Sequence, residues 1–372
     1  MSSTHLRQSV LAKSRSVVVK VGTHVLTNAS GKLDVRYLGR LSRQIAALHE
    51  RGMQVTLVSS GAVGAGCADL DLSKRPTDVA SLQAVAAVGQ PRLMVHMHDG
   101  LAKHGLKCAQ LLLTRQDFDV RARFLNIRNC VTHLQSLGCV PIINENDTVA
   151  VDEITFGDND LLAALMCNAL PADALVMLTT VDGLLDDVGS RIDLVDDVSA
   201  AMSHARPVIT ALGSGGMRTK LEAAKLVTDA GEIAVIANGR DRDVLPRLFD
   251  AAMLGTVFVP ASRKLDSRKR WIGLTTRPAG TITVDAGAAG AVRRHGKSLL
   301  AIGVTHVTGR FDRGQVVLVK DPAGETIARG LTNYAADELK QIQGQRSNQI
   351  AKTLGRPAYA EVVHRDNLVV RG

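Results

Sequence analysis

The chain has 372 residues, of which 45% are hydrophobic, 22% charged and 3% aromatic, a composition typical of globular rather than disordered or fibrous proteins. Its formal net charge of +9 is uneven, because residues 1–262 carry 26 Lys and Arg against 27 Asp and Glu, whereas residues 263–372 carry 19 against 9. The length and this asymmetry predict two domains and exclude a small disulfide-stapled scaffold.

The amino-terminal residues 1–15 lack the apolar core of an export signal, and no apolar run reaches the ~20 residues that span a bilayer. The five cysteines include no C-x-x-C pair, which argues against disulfides and against a structural zinc site. These features predict a cytoplasmic protein that does not contact a membrane.

Short apolar or β-branched runs alternate with longer helix-like segments in the larger domain. The runs predicted as strands are residues 17–19, 55–58, 109–113, 140–143, 174–178 and 233–236. Between the first two, Leu38, Leu41, Ile45 and Leu48 mark one face of an amphipathic helix that ends at Gly52. Because the strands are continuously apolar, both of their faces are expected to be buried. The pattern therefore predicts an α/β fold, a three-layer sandwich with a mainly parallel sheet.

Small polar residues and glycines follow five of the predicted strands. They occupy residues 20–23, 59–62, 144–147, 179–183 and 238–239. In a parallel sheet, ligands bind beyond the carboxyl ends of the strands. Packing alone does not require hydroxyls, amides and glycines at these positions, although turns favour some of them, so we expect a shared ligand site there.

Two of the segments suit a phosphate group. Lys20, Gly22 and Thr23 follow the first strand, and a Gly-rich loop at residues 213–216 precedes Lys220 at the start of a helix. Neither segment matches a P-loop or a G-x-G-x-x-G fingerprint. A buried lysine is costly without an anionic partner, so the two lysines are expected to clamp one phosphate tail; the alternative for Lys220 is an exposed lysine in a first helical turn.

A cluster of acidic and amide residues completes the predicted site. Asp158, Asn159 and Asp160 precede an apolar helix, and with Asn144 and Asp147 they could position an amine or a Mg²⁺-bound phosphate, whereas a helix N-cap alone would need only one of them. No nucleophile stands beside a base. Direct phosphoryl transfer, which requires alignment, positive charge and a metal, fits this inventory.

Four separated motifs resemble the glutamate 5-kinases of the amino acid kinase superfamily and occur in that family's order. They are residues 18–23, 58–63, 143–147 with 156–160, and 213–220. The resemblance implies ATP-dependent phosphorylation of the γ-carboxylate of L-glutamate to glutamyl 5-phosphate, the first step of proline biosynthesis. It also implies Mg²⁺, homo-oligomers and a downstream glutamyl phosphate reductase as partner. A sister kinase acting on another carboxylate is the alternative within the superfamily.

The resemblance also implies a role for each matching residue. As catalytic residues it gives Lys20 and Lys220, with Asp160 holding the two lysines in place, and it gives no protein ligand to a metal. The residues implied to bind ATP are Lys20, Gly22, Thr179, Thr180, Ser214, Gly215, Gly216, Met217, Arg218, Thr219 and Lys220. Those implied to bind glutamate are Ser60, Gly61, Asn144, Asp147, Asp158 and Asn159. The chain departs from the family's pattern at residues 183–187, where a Gly-Leu-Tyr stretch and an Asp-Pro pair are usual, and at His24.

The carboxyl-terminal region resembles a PUA domain, and its short glycine-bounded strands fit a small β barrel. We predict a kinase domain at residues 1–262, a basic linker at 263–278 and a PUA domain at 279–372. The basic charge supports a second hypothesis, RNA binding through this domain. Its few aromatic residues offer little surface for stacking bases, which disfavours that hypothesis.

Overall fold

The computed structural model describes residues 3–28, 31–150, 159–170, 172–205, 216–260 and 265–371. The chain divides into two compact units, Met1–Lys264 and Leu265–Gly372. Each unit has its own β-sheet and its own hydrophobic core. Among the described residues, no helix combines the length and the apolar character needed to cross a membrane.

The first unit alternates strands and helices. Its strands are β1 Ser16–Val21, β2 Gln54–Val58, β3 Lys107–Leu113, β4 Cys139–Glu145, β5 Ala174–Thr179, β6 Leu194–Val195, β7 Ile233–Asn238 and β8 Thr256–Phe258. Its helices are α1 Ser3–Ala12, α2 Thr23–Leu26, α3 Val35–Glu50, α4 Ala62–Asp69, α5 Val79–Ala102, α6 Arg121–Ser136, α7 Asn159–Ala169, α8 Val198–Ala201, α9 Met217–Thr228 and α10 Val244–Phe249.

The eight strands form one sheet in the order β3-β4-β2-β1-β5-β7-β8-β6. Six strands, from β3 to β7 in that order, pair in parallel, which confirms the predicted mainly parallel sheet. β8 pairs antiparallel to β7 and parallel to β6. Because β1 pairs in parallel with β2 on one side and β5 on the other, the carboxyl ends of these three strands lie side by side.

Helices cover both faces of the sheet. Val17, Val19 and Val21 join the core beneath α3, and Leu41 and Ile45 of α3 are fully buried there. Successive side chains of a strand point to opposite faces, so the residues between these valines face the other side, where α7 and α9 lie. Burial of each large aliphatic side chain contributes about 1.5–3 kcal/mol. The three-layer α/β sandwich is confirmed.

Two glycines let α4 and α5 touch backbone to backbone. A Cβ atom on Gly89 would lie 2.0 Å from the Ala62 carbonyl oxygen, and one on Gly66 would lie 1.9 Å from the Val85 carbonyl oxygen. Neither distance is tolerable for a side chain, so this close packing requires glycine at both positions. It holds the start of α4 against the middle of α5, where Gln90 lies.

The second unit contains a separate five-stranded sheet in the order β10-β9-β11-β12-β13. Its strands are β9 Gly280–Val284, β10 Val304–Gly309, β11 Val316–Lys320, β12 Thr326–Leu331 and β13 Leu368–Val370, and its helices are α11 Ser267–Arg270, α12 Ala286–His295, α13 Ala336–Ile342 and α14 Ser347–Leu354. Residues 267–275, which the sequence assigned to a linker, are helical, and Trp271 and Ile272 are buried in this unit beside β12 and β13.

Candidate active site

The parallel strands bring the predicted site residues to one edge of the first unit's sheet. Lys20 lies near the end of β1, Ser60 follows β2, Asn144 lies near the end of β4, and Thr179 ends β5. These strands are neighbours in the sheet, so side chains far apart in sequence meet at that edge. Gly61, which precedes α4, has a φ of 98°, a left-handed conformation that favours glycine and turns the chain from β2 into the helix.

Lys20 and Lys220 meet on one carboxylate. The Lys20 Nζ atom lies 2.6 Å from Asp160 Oδ1, and the Lys220 Nζ atom lies 2.9 Å from Asp160 Oδ2. The Thr219 hydroxyl donates a hydrogen bond of 3.3 Å to the same Oδ2 atom. Asp160 therefore fixes two ammonium groups, 200 residues apart in the chain, side by side.

This cluster is buried. Asp160 is 0% exposed, Lys20 is 5% exposed and Lys220 is 7% exposed. The alternative that Lys220 is an exposed lysine in a first helical turn is therefore wrong, because α9 places the Lys220 side chain against Asp160. Burial on its own raises the pKa of Asp160, but the two ammonium groups outweigh burial and lower that pKa to about 2. Asp160 is thus a carboxylate at neutral pH, as the role of holding two cations requires.

A second cluster is built from amides. The Asn159 side-chain amide donates to the Ser59 carbonyl at 2.6 Å, to the Ser60 hydroxyl at 3.1 Å and to Asn144 Oδ1 at 2.9 Å. The Asn144 amide in turn donates to Gln90 Oε1 at 2.7 Å. Since Asn159 is the donor to Ser60 Oγ, the Ser60 hydroxyl keeps its own hydrogen to donate elsewhere. The cluster thus presents a hydroxyl donor beside Asn159, which precedes Asp160 in the chain.

The amide cluster opens into a cavity of about 70 Å³. The residues lining it are Thr23, Ser60, Gly61, Ala62, Val63, Gly64, Arg75, Asn144, Glu145, Asp147 and Asn159. A larger cavity of about 690 Å³ shares Thr23, Val63, Gly64 and Arg75 with it and also includes His24, Lys32, Lys74, Thr180 and Arg240. Because the two cavities share lining residues, they adjoin.

Asp147 lies on the wall of the smaller cavity, apart from the lysine pair. Burial raises the pKa of Asp147 to about 6, and the nearby Arg75 guanidinium partly opposes that rise. A half-buried carboxylate of this kind gains from an ammonium group placed beside it, because the ammonium stabilises the charged form. The Asp147 carboxylate is therefore a candidate partner for an ammonium group on the wall of this cavity.

Some predicted residues lie elsewhere or are already engaged. The Arg218 guanidinium pairs with Glu222 on the exposed face of α9, 3.1 Å away, and its binding of ATP stays a prediction. The Gly22 backbone N–H donates to the Leu178 carbonyl at 3.1 Å, and the binding of ATP by Gly22 stays a prediction. Thr179 accepts a backbone hydrogen bond from Gly239. Met217 and Gly216 begin α9, next to Thr219.

Three predicted residues, Asp158, Ser214 and Gly215, lie outside the described residues.

The described residues include both positions at which the chain departs from the family's pattern, His24 and residues 183–187. His24 is exposed and lines the larger cavity. In the 183–187 segment, the Leu184 N–H donates to Thr256 Oγ1 at 2.8 Å, and Leu185 forms a bridge with Arg191. This segment is therefore tied to β8 without the aromatic residue and the proline that are usual in the family.

Sequence reasoning missed two residues of the site, Gln90 and Arg75. Gln90 lies within an apolar stretch of α5, and no sequence motif surrounds it that would mark it as a site residue. Its position beside Gly89 is the only local indication of a special role. Arg75 lies in a polar connection between α4 and α5, where a charged residue is ordinarily a solvated surface residue. Only the folded chain brings both next to Asn144 and Asp147.

The described residues contain no group of three or more His, Cys, Asp or Glu side chains arranged to hold a metal ion. The carboxylate closest to the lysines is a poor ligand, because both oxygens of Asp160 already contact ammonium groups. In the state described, Asp160 therefore does not fit the role of a Mg²⁺ ligand.

Known proteins resemble this chain over nearly its whole length. The model of the amino acid kinase family matches residues 15–238, and the PUA domain model matches residues 280–354. The glutamate 5-kinase of Citrifermentans bemidjiense is 45% identical over 372 residues, covering 98% of this chain and 100% of that protein. The glutamate 5-kinase of Chromohalobacter salexigens is 46% identical over 370 residues, covering 98% of each chain.

One solved structure supports the fold alone. N-acetylglutamate synthase from Neisseria gonorrhoeae, complexed with coenzyme A and N-acetyl-glutamate, superposes with a TM-score of 0.50 at 14% sequence identity. The superposition covers 70% of this chain and 63% of that chain. Identity this low carries no argument about the reaction.

Proposed function

This chain belongs to the amino acid kinase family and, within it, to the glutamate 5-kinases, and from that premise we propose that it transfers the γ-phosphoryl group of ATP to the side-chain carboxylate of L-glutamate. The observation that carries the proposal is the pair of lysine ammonium groups held on the buried Asp160 carboxylate. Transferring a phosphoryl group concentrates negative charge on its oxygens, and two fixed cations stabilise that charge without having to reorganise.

The residues next to the lysines suit the acceptor. Asn159 is the chain neighbour of Asp160, and the Ser60 hydroxyl accepts a hydrogen bond from it. We assign the remaining donor capacity of Ser60 to the reacting carboxylate of glutamate. Asp147, on the wall of the same cavity, then faces the substrate ammonium. Gln90 acts through Asn144 and Asn159 and is therefore a positioning residue.

The proposed step needs no general base. One oxygen of the substrate carboxylate attacks the γ-phosphorus of ATP, a P–O bond forms, and the bond from that phosphorus to the β,γ-bridging oxygen breaks. The electron pair of the broken bond leaves with ADP. Since the attacking carboxylate is already an anion at neutral pH, no proton is removed from it. Lys20 and Lys220 stabilise the charge on the moving group, and Asp160 keeps them in position.

Mg²⁺ enters this proposal as a companion of ATP. Because both oxygens of Asp160 contact ammonium groups, we assign Mg²⁺ to the nucleotide and derive no step through it. A downstream glutamyl phosphate reductase, assembly into homo-oligomers and a cytoplasmic location stay predictions from the sequence.

A substrate panel tests the proposal. The purified chain is incubated with ATP, Mg²⁺ and hydroxylamine, and with L-glutamate, L-aspartate, N-acetyl-L-glutamate or UMP as the acceptor. We expect an acyl hydroxamate with L-glutamate, because hydroxylamine traps an acyl phosphate, and little or none with the other three. Equal product with aspartate or N-acetyl-L-glutamate would assign the chain to a sister activity, and phosphorylation of UMP alone would reject a carboxylate acceptor.

A further inference from the structure

Arg75 is the cationic residue on the wall of the smaller cavity. Of the described side chains lining that cavity, Glu145 and Asp147 are acidic and Arg75 is basic, and the others are neutral. Arg75 also lines the larger cavity, so it lies where the two cavities adjoin. The Arg75 guanidinium acts electrostatically on Asp147, opposing the effect of burial on that carboxylate. A positive and a negative group therefore face the same part of the opening.

The proposed reaction fixes the direction of the substrate. The reacting carboxylate of the substrate has to lie towards Lys20 and Lys220, beside Ser60 and Asn159. The ammonium group of the substrate then faces Asp147. The α-carboxylate is bonded to the same carbon as the ammonium group. It therefore needs a partner immediately next to Asp147, or it would be partly desolvated without compensation.

We propose that Arg75 binds the α-carboxylate of the amino-acid substrate, so that Arg75 and Asp147 together select a zwitterionic α-amino acid. This inference rests on the proposed function and adds to it a residue that determines specificity. A guanidinium matches a carboxylate with two parallel hydrogen bonds, which a lysine ammonium cannot reproduce. The Asp147 carboxylate thus complements the substrate ammonium group, and the Arg75 guanidinium complements the α-carboxylate.

The neighbouring cations are less suited to this role. Arg240 lines the larger cavity but not the smaller one, so it is not beside Asp147 on the wall of the smaller cavity. Lys74 lines the larger cavity but not the smaller one. Lys74 differs from Arg75 by one position and lies in the same exposed connection, so it provides a matched control for a general change in charge.

The experiment compares three ligands that differ by one group. L-glutamate has both α-groups, 4-aminobutyrate lacks the α-carboxylate, and glutarate lacks the ammonium group. The KM for glutamate and the competitive inhibition constants of the other two are measured for the wild-type chain and for Arg75→Gln, Lys74→Gln and Asp147→Asn. Arg75→Lys is the conservative variant, and the KM for ATP reports on the rest of the site.

We expect Arg75→Gln to raise the constants for glutamate and glutarate by about tenfold or more, the usual effect of losing a charge-assisted hydrogen bond. The constant for 4-aminobutyrate and the KM for ATP should change by less than about twofold. Asp147→Asn should show the complementary pattern, weakening glutamate and 4-aminobutyrate but not glutarate. Arg75→Lys should lie between the wild type and Arg75→Gln, and Lys74→Gln should leave all constants within about twofold.

Two results would overturn the inference. An equal rise for all three ligands in Arg75→Gln would indicate a structural effect, and no rise for glutamate would remove Arg75 from the substrate. If Arg75→Gln does not fold, Arg75→Lys decides between these results by the same ligand comparison. Failure of the wild-type chain to phosphorylate glutamate would instead reject the proposed function, so the two failures are distinguishable.

Discussion

Replacing Asp160 with Asn removes the charge that holds the two lysines while keeping the shape of the side chain. Asp160 is fully buried and contacts both ammonium groups, at 2.6 and 2.9 Å. Removing one partner of a buried ion pair typically costs about 3–5 kcal/mol. A second route gives a similar size, since lowering the carboxyl pKa from 3.8 to about 2 corresponds to roughly 2–3 kcal/mol of stability at neutral pH.

We therefore expect Asp160→Asn to lose about 2–5 kcal/mol of unfolding free energy and to lower kcat by about 100-fold or more. Urea denaturation followed by circular dichroism gives the first quantity, and trapping of the acyl phosphate gives the second. Asp229→Asn is the matched control, because Asp229 forms an exposed ion pair with Lys225 and should contribute less than about 1 kcal/mol. A variant Asp160→Asn with wild-type stability and kcat within about threefold of normal would refute the reasoning.

Three further outcomes follow from the same geometry. Lys220→Met should lower kcat at least about 100-fold and also cost about 1–3 kcal/mol of stability, since a buried carboxylate loses one partner; wild-type kcat would exclude Lys220 from the reaction. Gln90→Leu should raise the glutamate KM about tenfold with an unchanged ATP KM, because the Asn144 amide loses its acceptor, and equal changes in both constants would point to a general distortion instead. The glutamate KM should rise as the pH falls through about 6, where Asp147 takes up a proton and no longer attracts an ammonium group, and this rise should vanish in Asp147→Asn; its persistence there would assign the titration to another group.

Asp160 also predicts how stability depends on pH. Its pKa is lower in the folded chain than in the unfolded chain, so its contribution is present above about pH 4 and is lost as the pH falls towards 2. An acid titration followed by circular dichroism should show this loss in the wild type and a smaller one in Asp160→Asn. Identical acid transitions in the two chains would contradict the assignment.

The sheet could be predicted from the sequence because its physical signal is local. Continuous valines in β1 require burial on both faces, and the spacing of Leu38, Leu41, Ile45 and Leu48 requires a helix across one of them. The short strands β6 and β8 could not be predicted, because two and three residues are too few for a periodic pattern.

The site was predictable in part, for the same reason. Residues at strand ends and helix starts carry a positional signal, and these include Lys20, Ser60 and Asn144. That Lys220 is buried could not be inferred, since only the packing of α9 against α7 brings it to Asp160. Gln90 on α5 and Arg75 in the connection before α5 enter the site only in the folded chain, and the glycine beside Gln90 is the only local signal for either residue.

The transfer of an oxygen atom tests the central claim most directly. L-glutamate labelled with ¹⁸O in its side-chain carboxylate is incubated with ATP, Mg²⁺ and hydroxylamine, and the released inorganic phosphate is analysed by mass spectrometry. If the substrate carboxylate attacks the γ-phosphorus and hydroxylamine then attacks the acyl carbon, each phosphate carries one ¹⁸O atom, and Lys220→Met forms almost none of it. Phosphate without ¹⁸O, formed at the same rate as ADP, would mean that water attacks ATP and would contradict the account.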